Sequence, residues 1–404
     1  MTIFSKSTFS HLKYNLYLLI AFALPLNKSI VPLLIILLLI YWILEGDFKT
    51  KMSNLKDKFF IVSCALYLLH LFGMLYTDNT LNGSFDLEQK LSLIFFPILI
   101  FSESIIDDQF ISKVFKHFIL GCIVGCIICF SNATLHYYYS NVTDSFFYVQ
   151  FSCIMHPSYF ALYIAFASCL LLFDNSILGK SFYKIPITIF FLVCIILLSS
   201  KSGIFSITIV FTVKFFHSLF IKKKYLKSFI TLICFLLVVA SLVLYFPKST
   251  ERMYSMVSSL KSNKKSLNTT TERILIWKHS LNIIAAHPII GVGTGDANDA
   301  LAETYSAINE TEMKERKFNA HNQFLQTSIS LGILGLLALL IPYLLIIYFS
   351  IISKNINTVM FVGLVLVNML FEAMLETQAG VIFISFFLYL LLKQLKDSNI
   401  KSIT

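Results

Sequence analysis

Charge is what this chain has least of. Of its 404 residues, 13% are Asp, Glu, Lys or Arg against 57% hydrophobic, and the mean hydropathy is +0.78. Soluble domains are about a quarter charged and half apolar, so an ordinary soluble fold is excluded. Arginine is scarcer still: Arg252, Arg273 and Arg316 are the only three among 32 basic residues. No internal repeat, low-complexity tract or Gly/Ser-rich linker is visible, which argues against a separate domain set off from the rest of the chain. The eight cysteines lie within or beside apolar runs. Neither a disulfide framework nor a zinc site is expected from them, and they read as small buried hydrophobes.

What is present is a series of twelve apolar runs, at roughly 14–27, 29–45, 59–76, 89–103, 115–133, 156–173, 184–200, 203–220, 228–246, 323–350, 356–374 and 378–393. Each reaches or approaches the roughly 20 residues a helix needs to cross a bilayer, and the runs are continuous and not alternating, which favours helices over barrel strands. The expected fold is an all-α polytopic membrane protein with about twelve transmembrane helices. The first run is followed by no small-residue cleavage site and almost at once by a second run, so it reads as a membrane helix and not as a secretory signal.

The net charge of +10 is not a nucleic-acid signature, because the lysines sit at the membrane surface. With both termini placed in the cytoplasm, eighteen lysines fall on inner connections and three, Lys28, Lys90 and Lys201, on short outer ones. That positive-inside bias assigns the long 247–321 stretch to the outer face. Three segments follow: 1–246 with nine helices, 247–321 as a large outer loop inserted into one membrane domain, and 322–404 with the last three helices and a cytoplasmic tail.

All three arginines fall in that loop, which suggests that it handles an anion suited to a planar, always-charged fork. Thr269 with Glu272 three residues on reads as a capping box. Ile274, Trp277, Leu281 and Ile284 then give the helix an apolar stripe, ended at His287 and Pro288. Gly291, Gly293 and Gly295 predict a flexible turn, and 297–308 a second short helix. Asn319 is the expected cap of the next helix, with His321 on its first turn.

The order Arg273, Trp277, Pro288, Gly291, Val292, Gly293, then His321, Asn322, Gln323, Phe324, Leu325, and Gly332, Ile333, Leu334, Gly335 resembles the O-antigen ligase and polymerase superfamily. The resemblance in residue order covers roughly 270–335, and the helix layout extends it along the chain. It implies a GT-C-like fold and a metal-independent, inverting glycosyl transfer at the outer face of the bacterial inner membrane, with no cofactor. The implied donor is a glycan on undecaprenyl diphosphate. The implied acceptor is lipid A core in the ligases, or a second lipid-linked glycan in the polymerases.

Such a reaction needs chemistry that the sequence can supply. A sugar hydroxyl is a poor nucleophile near neutral pH, and histidine suits removal of its proton; His321 is the candidate base. The charge growing on a diphosphate leaving group must be met by a metal or by fixed cations, and Arg273 is the candidate clamp, unless it pairs with Glu272 or anchors at headgroups. Asp296 and Asp299, the nearest carboxylates to a metal cluster, read more simply as a solvated loop or cap. Where the ligases carry an arginine in a Ser-Arg-Gly-like turn, this chain has Ser199, Ser200, Lys201, Ser202 and Gly203. Lys201 is therefore either a diphosphate contact without the bidentate fork or a cation marking an outer turn. His156, before Pro157, Ser158 and Tyr159, and Glu372 and Glu376, in the last outer turn, are further candidates; either glutamate could orient His321 or hold an acceptor hydroxyl. Glu88 and Lys90 form a similar pair. Arg316 reads either as a phosphate contact or as part of a solvated charge run. Asn322, Gly293 and Trp277 complete the candidate substrate-binding set, with packing as the plainer reading of Trp277, Phe324 and Leu325, and a surface role for His279 and His287.

O-antigen ligase is the leading reading, with lipid-linked repeat-unit polymerase second. Twelve helices also suit a carrier for the same lipid, but carriers show pseudo-symmetric halves and midplane polar residues, and this chain has one asymmetric outer loop instead. A sensor or scaffold would have no need of His321.

Overall fold

The apolar runs do become helices. The computed structural model describes residues 6–27, 29–174, 176–177, 181–226, seven positions between 228 and 240, 269–307 and 318–401, and among these there is no strand. The expected span at 228–246 and the candidate Arg316 lie largely or wholly outside the described residues, as does Arg252. The helices are α1 (Lys6–Ala23), α2 (Ile30–Leu44), α3 (Phe48–Asn54), α4 (Lys58–Gly73), α5 (Thr80–Lys90), α6 (Ser92–Phe101), α7 (Asp108–Ser140), α8 (Tyr148–Phe151), α9 (Pro157–Phe173), α10 (Ser181–Leu197), α11 (Lys201–Phe216), α12 (Thr269–Ala286), α13 (Ala297–Ala307), α14 (Gln323–Ile352), α15 (Ile356–Phe371) and α16 (Gln378–Lys401).

Among the described residues five helical stretches are long and apolar enough to cross a membrane: Lys58–Tyr76, Asp108–Ser140, Lys201–Ile221, Gln323–Ile352 and Gln378–Ser398. A sixth is made if α2 and α3, bent by 117°, count as one span. The chain is therefore a polytopic, all-helical membrane protein. The other apolar helices are shorter; α6, for example, has ten residues. At 1.5 Å per residue such a helix reaches only about half of a 30 Å hydrocarbon core, so among the described residues five or six of the twelve expected spans meet the length requirement.

The bundle is organised around α9 and α16. Every residue from Pro157 to Leu171 is buried, and in α16 Val381 to Leu392 are buried as well. Tyr163 stacks on Phe383 with ring centroids 4.2 Å apart, and Phe118, Phe166, Phe361 and Phe387 pack around them edge-on or tilted. Leu33, Ile36, Ile40 and Ile43 on α2, and Leu337, Leu344, Ile351 and Ile352 on α14, are exposed. An apolar exterior of this extent is what a lipid-facing surface requires.

The two ends of the bundle differ. At the end holding the start of α1 and the tail of α16, ion pairs join Lys13 to Glu45 and Glu103, Lys393 to Asp397, and Lys396 to Asp57. At the other end lie the starts of α9, α11 and α14 and the end of α15.

The described part of the long loop packs on that second end. Ile276 and Ile283 of α12 bury with Ala297, Leu301, Ala320 and Ile329, while Ile274 and Leu281 of the expected stripe are exposed. The helix is apolar on more than one side, and contact with α13 and α14 selects the face seven residues apart. The glycine turn is not loose. Val292 and Gly293 N–H groups donate to Ile329 and Ser330 carbonyls at 2.9 and 3.0 Å, and Ile333 N–H donates to Pro288 O at 2.9 Å. This reciprocal pairing is possible because α14 breaks at Gly332, whose φ of 59° and ψ of −153° are non-helical. A Cβ on Gly291 or Gly332 would overlap the facing backbone, so these glycines answer a close approach of two chains.

Candidate functional site

A cavity of about 240 Å³ opens where α9, α11, α12, α14 and α15 meet. His156, Ser158, Lys201, Arg273, His321 and Glu372 all line it, with Tyr148, Phe318 and Phe371 as its aromatic wall. Five of the sequence candidates, more than two hundred residues apart at the extremes, thus share one polar space.

At its centre is Glu372, the residue that ends α15. One oxygen, Oε1, accepts a hydrogen bond from Arg273 Nη2 at 3.0 Å; the other, Oε2, lies 3.4 Å from His321 Nδ1. Ser158 Oγ donates to Oε1 at 3.4 Å, and Ser200 Oγ in turn to Ser158 at 3.5 Å. Burial pushes the Glu372 carboxyl up, but the hydrogen bond from His321 and the charges of Arg273, His321 and His156 outweigh it and hold the group below its ordinary value. The side chains of His321 and Arg273 keep 27% and 28% exposure, so both can meet a ligand.

The backbone around the cavity is strained. Among the described residues seven non-glycines have a left-handed backbone, and three of them, Tyr148 (φ 53°), Ser199 (47°) and His321 (45°), line this cavity. Each costs on the order of 1–3 kcal/mol, which the surroundings must offset. For His321 they visibly do. Asn319 Oδ1 accepts its N–H at 3.0 Å, Trp277 Nε1 donates to Ala320 O at 3.1 Å, and Gln326 Oε1 accepts Ala320 N–H at 2.9 Å. Asn322 then caps α14 by accepting from Phe324 and Leu325 N–H groups. The cap is thus Asn322 and not Asn319, and His321 stands outside the helix, aimed by a bend the helical register would not allow.

Other candidates stand apart from the cavity. Trp277 and Asn322 hold the backbone on either side of His321. Gly293 (φ 120°) sits in the glycine turn against Thr77 and Asp296. Asp296 itself accepts from Asp78 and Asn79 N–H groups, and Asp299 from Asn79 Nδ2, so both carboxylates tie that turn to the start of α5. Glu376 pairs with Lys90, whose other partner is Asp86; Glu88 is not in that pair. Arg273 reaches Glu372 and not its neighbour Glu272. Among the described residues no group of three or more His, Cys, Asp or Glu side chains could hold a metal ion. Tyr148 and Phe318 were not foreseen, since among 40 phenylalanines and 19 tyrosines nothing local separates a cavity wall from packing.

Fold and cavity together define a polytopic helical membrane protein with a charged pocket at one end of its bundle. A family model described as O-antigen ligase matches residues 186–340, a segment that takes in Lys201, Arg273, the glycine turn and His321 and supports membership of the O-antigen ligase and polymerase superfamily. A protein of Haemophilus influenzae, named only as an uncharacterized protein, is 25% identical over 368 residues, which cover 86% of each chain.

Proposed function

We propose that this protein is an O-antigen ligase, transferring a glycan from undecaprenyl diphosphate to lipid A core at the periplasmic face of the inner membrane. The observation that carries the reading is the convergence of His321, Glu372, Arg273 and Lys201 on one cavity at the end of the bundle opposite its lysine-rich ion pairs. The O-antigen ligase family match over the same residues supports it.

In this reading the acceptor sugar enters with a hydroxyl at His321. The Nδ1 side of the imidazole is held by Glu372, leaving Nε2 to take the proton. The acceptor oxygen attacks the anomeric carbon of the donor glycan as the bond from that carbon to the diphosphate oxygen breaks, giving the glycosylated acceptor and free lipid diphosphate. Glu372 stabilises the imidazolium that forms, as a carboxylate does beside any histidine base.

With both histidines neutral the cavity's formal charges cancel, Lys201 and Arg273 against Glu272 and Glu372. A proton arriving on His321 therefore makes the site net cationic as negative charge develops on the leaving diphosphate, where Arg273 and Lys201 would meet it. Preorganised charge in a partly desolvated site is the largest single contribution available to such a step.

Polymerisation of repeat units uses the same donor chemistry and is the second reading. A deletion strain separates the two: full-length glycan left on its lipid carrier is the ligase outcome, and single-repeat carrier the polymerase outcome. An unchanged pool of lipid-linked glycan and normal lipopolysaccharide would remove both.

A further inference from the structure

Outside the cavity, one cluster of ionisable groups is buried in a way the reaction does not use. Lys90, at the end of α5, is completely buried and pairs with Asp86 and, at 3.0 Å, with Glu376 Oε1; His70 of α4 lies 3.6 Å from Asp86. Glu376 belongs to the turn of residues 372–377 that begins with Glu372. From these contacts we propose that Lys90 is a positioning residue: by clamping Glu376 it fixes the turn that presents Glu372 to His321 and Arg273.

The turn is short and tightly enclosed. Ala373, Met374 and Leu375 are buried, and Glu376 N–H donates to Ala373 O at 3.1 Å. On the side facing α14, buried Gln323 accepts Leu375 N–H at 2.6 Å and donates to Thr327 Oγ1 at 3.0 Å. Gln323 is two residues beyond His321, so the segment presenting the histidine and the turn presenting the glutamate are joined directly. On the side facing α5, Lys90 supplies the matching hold. Tyr159 OH donates to Ala373 O at 3.4 Å and Tyr163 OH to Ala379 O at 2.7 Å, closing the α9 side.

Stability is a poor reason for such a cluster. Replacing a buried ion-paired group by apolar side chains of similar volume is often neutral or stabilising, whereas a single broken pair leaves an uncompensated charge. A buried cation near membrane-spanning segments is costly to keep. What Lys90 supplies that a methionine would not is a directional hold on one carboxylate, four residues from Glu372.

This inference rests on the glycosyl-transfer reading for its catalytic consequence, but not for its structural one. The test uses the full-length protein in detergent and in vesicles, comparing wild type with the apolar variant Asp86→Leu/Lys90→Met/Glu376→Met, which leaves neither a buried charge nor a carboxylate without its partner. The variant is expected to be at least as heat-stable as wild type. Amide hydrogen exchange of residues 372–377 is expected to rise while that of α9 and α16 stays unchanged. Transfer should fall on the order of 100-fold in kcat with KM little changed, the size expected when a reacting group is displaced by about 1 Å. Unchanged exchange in that turn, or wild-type kcat in the variant, overturns the proposal. If wild type transfers no glycan, it is the reading of the reaction that has failed, and the exchange result alone decides the role of Lys90.

Discussion

His321 Nδ1 stands 3.4 Å from Oε2 of Glu372, while Arg273 holds Oε1 of the same carboxylate at 3.0 Å. One glutamate therefore orients both the proposed base and the proposed clamp. Glu372→Gln keeps the shape but loses the charge that stabilises an imidazolium. Transfer is expected to drop by about 100-fold or more, within the range attributed to general acid–base assistance, with the protein still inserted and folded. Steady-state kinetics on the reconstituted variant check this; wild-type kcat would remove Glu372 from the mechanism.

Arg273→Ala should abolish transfer. Arg273→Lys should retain only part of it, because an ammonium cannot grip two oxygens in a planar fork. For Lys201 the order is reversed: Lys201→Arg should match or exceed wild type, whereas Lys201→Ala should raise KM for the lipid-linked donor. Equal KM in all three proteins at position 201 would reduce Lys201 to a cation marking a turn.

Glu372 also ties stability to pH. Its carboxyl is held below the ordinary value in the folded protein, so the stabilisation is fully present above the unfolded-state pKa of about 4.3 and is lost as pH falls through the lower folded value. Thermal unfolding in detergent between pH 6 and pH 3 should show a decline in the acid range for wild type that is smaller in Glu372→Gln. Parallel curves would contradict the pairing.

The crossing of the glycine turn over the break in α14 leaves no room for a Cβ. Gly291 (φ 70°) lies against the backbone of Ile329 to Leu331 and Gly332 (φ 59°) against that of Ile289 and Ile290, so Gly291→Ala or Gly332→Ala should destabilise the protein by on the order of 1–3 kcal/mol, read as a lowered Tm. Gly363, which has open space around it, should accept alanine with little change.

Much of the fold was legible because lipid imposes its own pattern: each apolar run whose residues the structure describes is a helix, and the boundaries of α9, α14 and α15 fall within a few residues of the run ends. The number of crossings is matched only in part among the described residues, since run length cannot see where a helix breaks, as it does before and after α6, which is ten residues long. Of the residues that line the cavity, Lys201 and Glu372 were conspicuous because a charged group beside apolar sequence is costly, and His321 and Arg273 through the order of motifs around them and their fitness to take a proton and grip an anion. Which glutamate meets His321 could not be read, since Glu372 and Glu376 differ only in what lies across space, Arg273 for one and Lys90 for the other. Nor could the bend at His321, which depends on Asn319, Trp277 and Gln326 acting together from three places in the chain.

The most direct test is reconstitution of the purified protein in vesicles with an undecaprenyl-diphosphate glycan and lipid A core, scoring transferred product in the presence of a chelator. Wild type is expected to form glycosylated acceptor with chelator present, while His321→Ala and Arg273→Ala, equally well inserted, form none. Transfer by both variants at the wild-type rate would contradict the account.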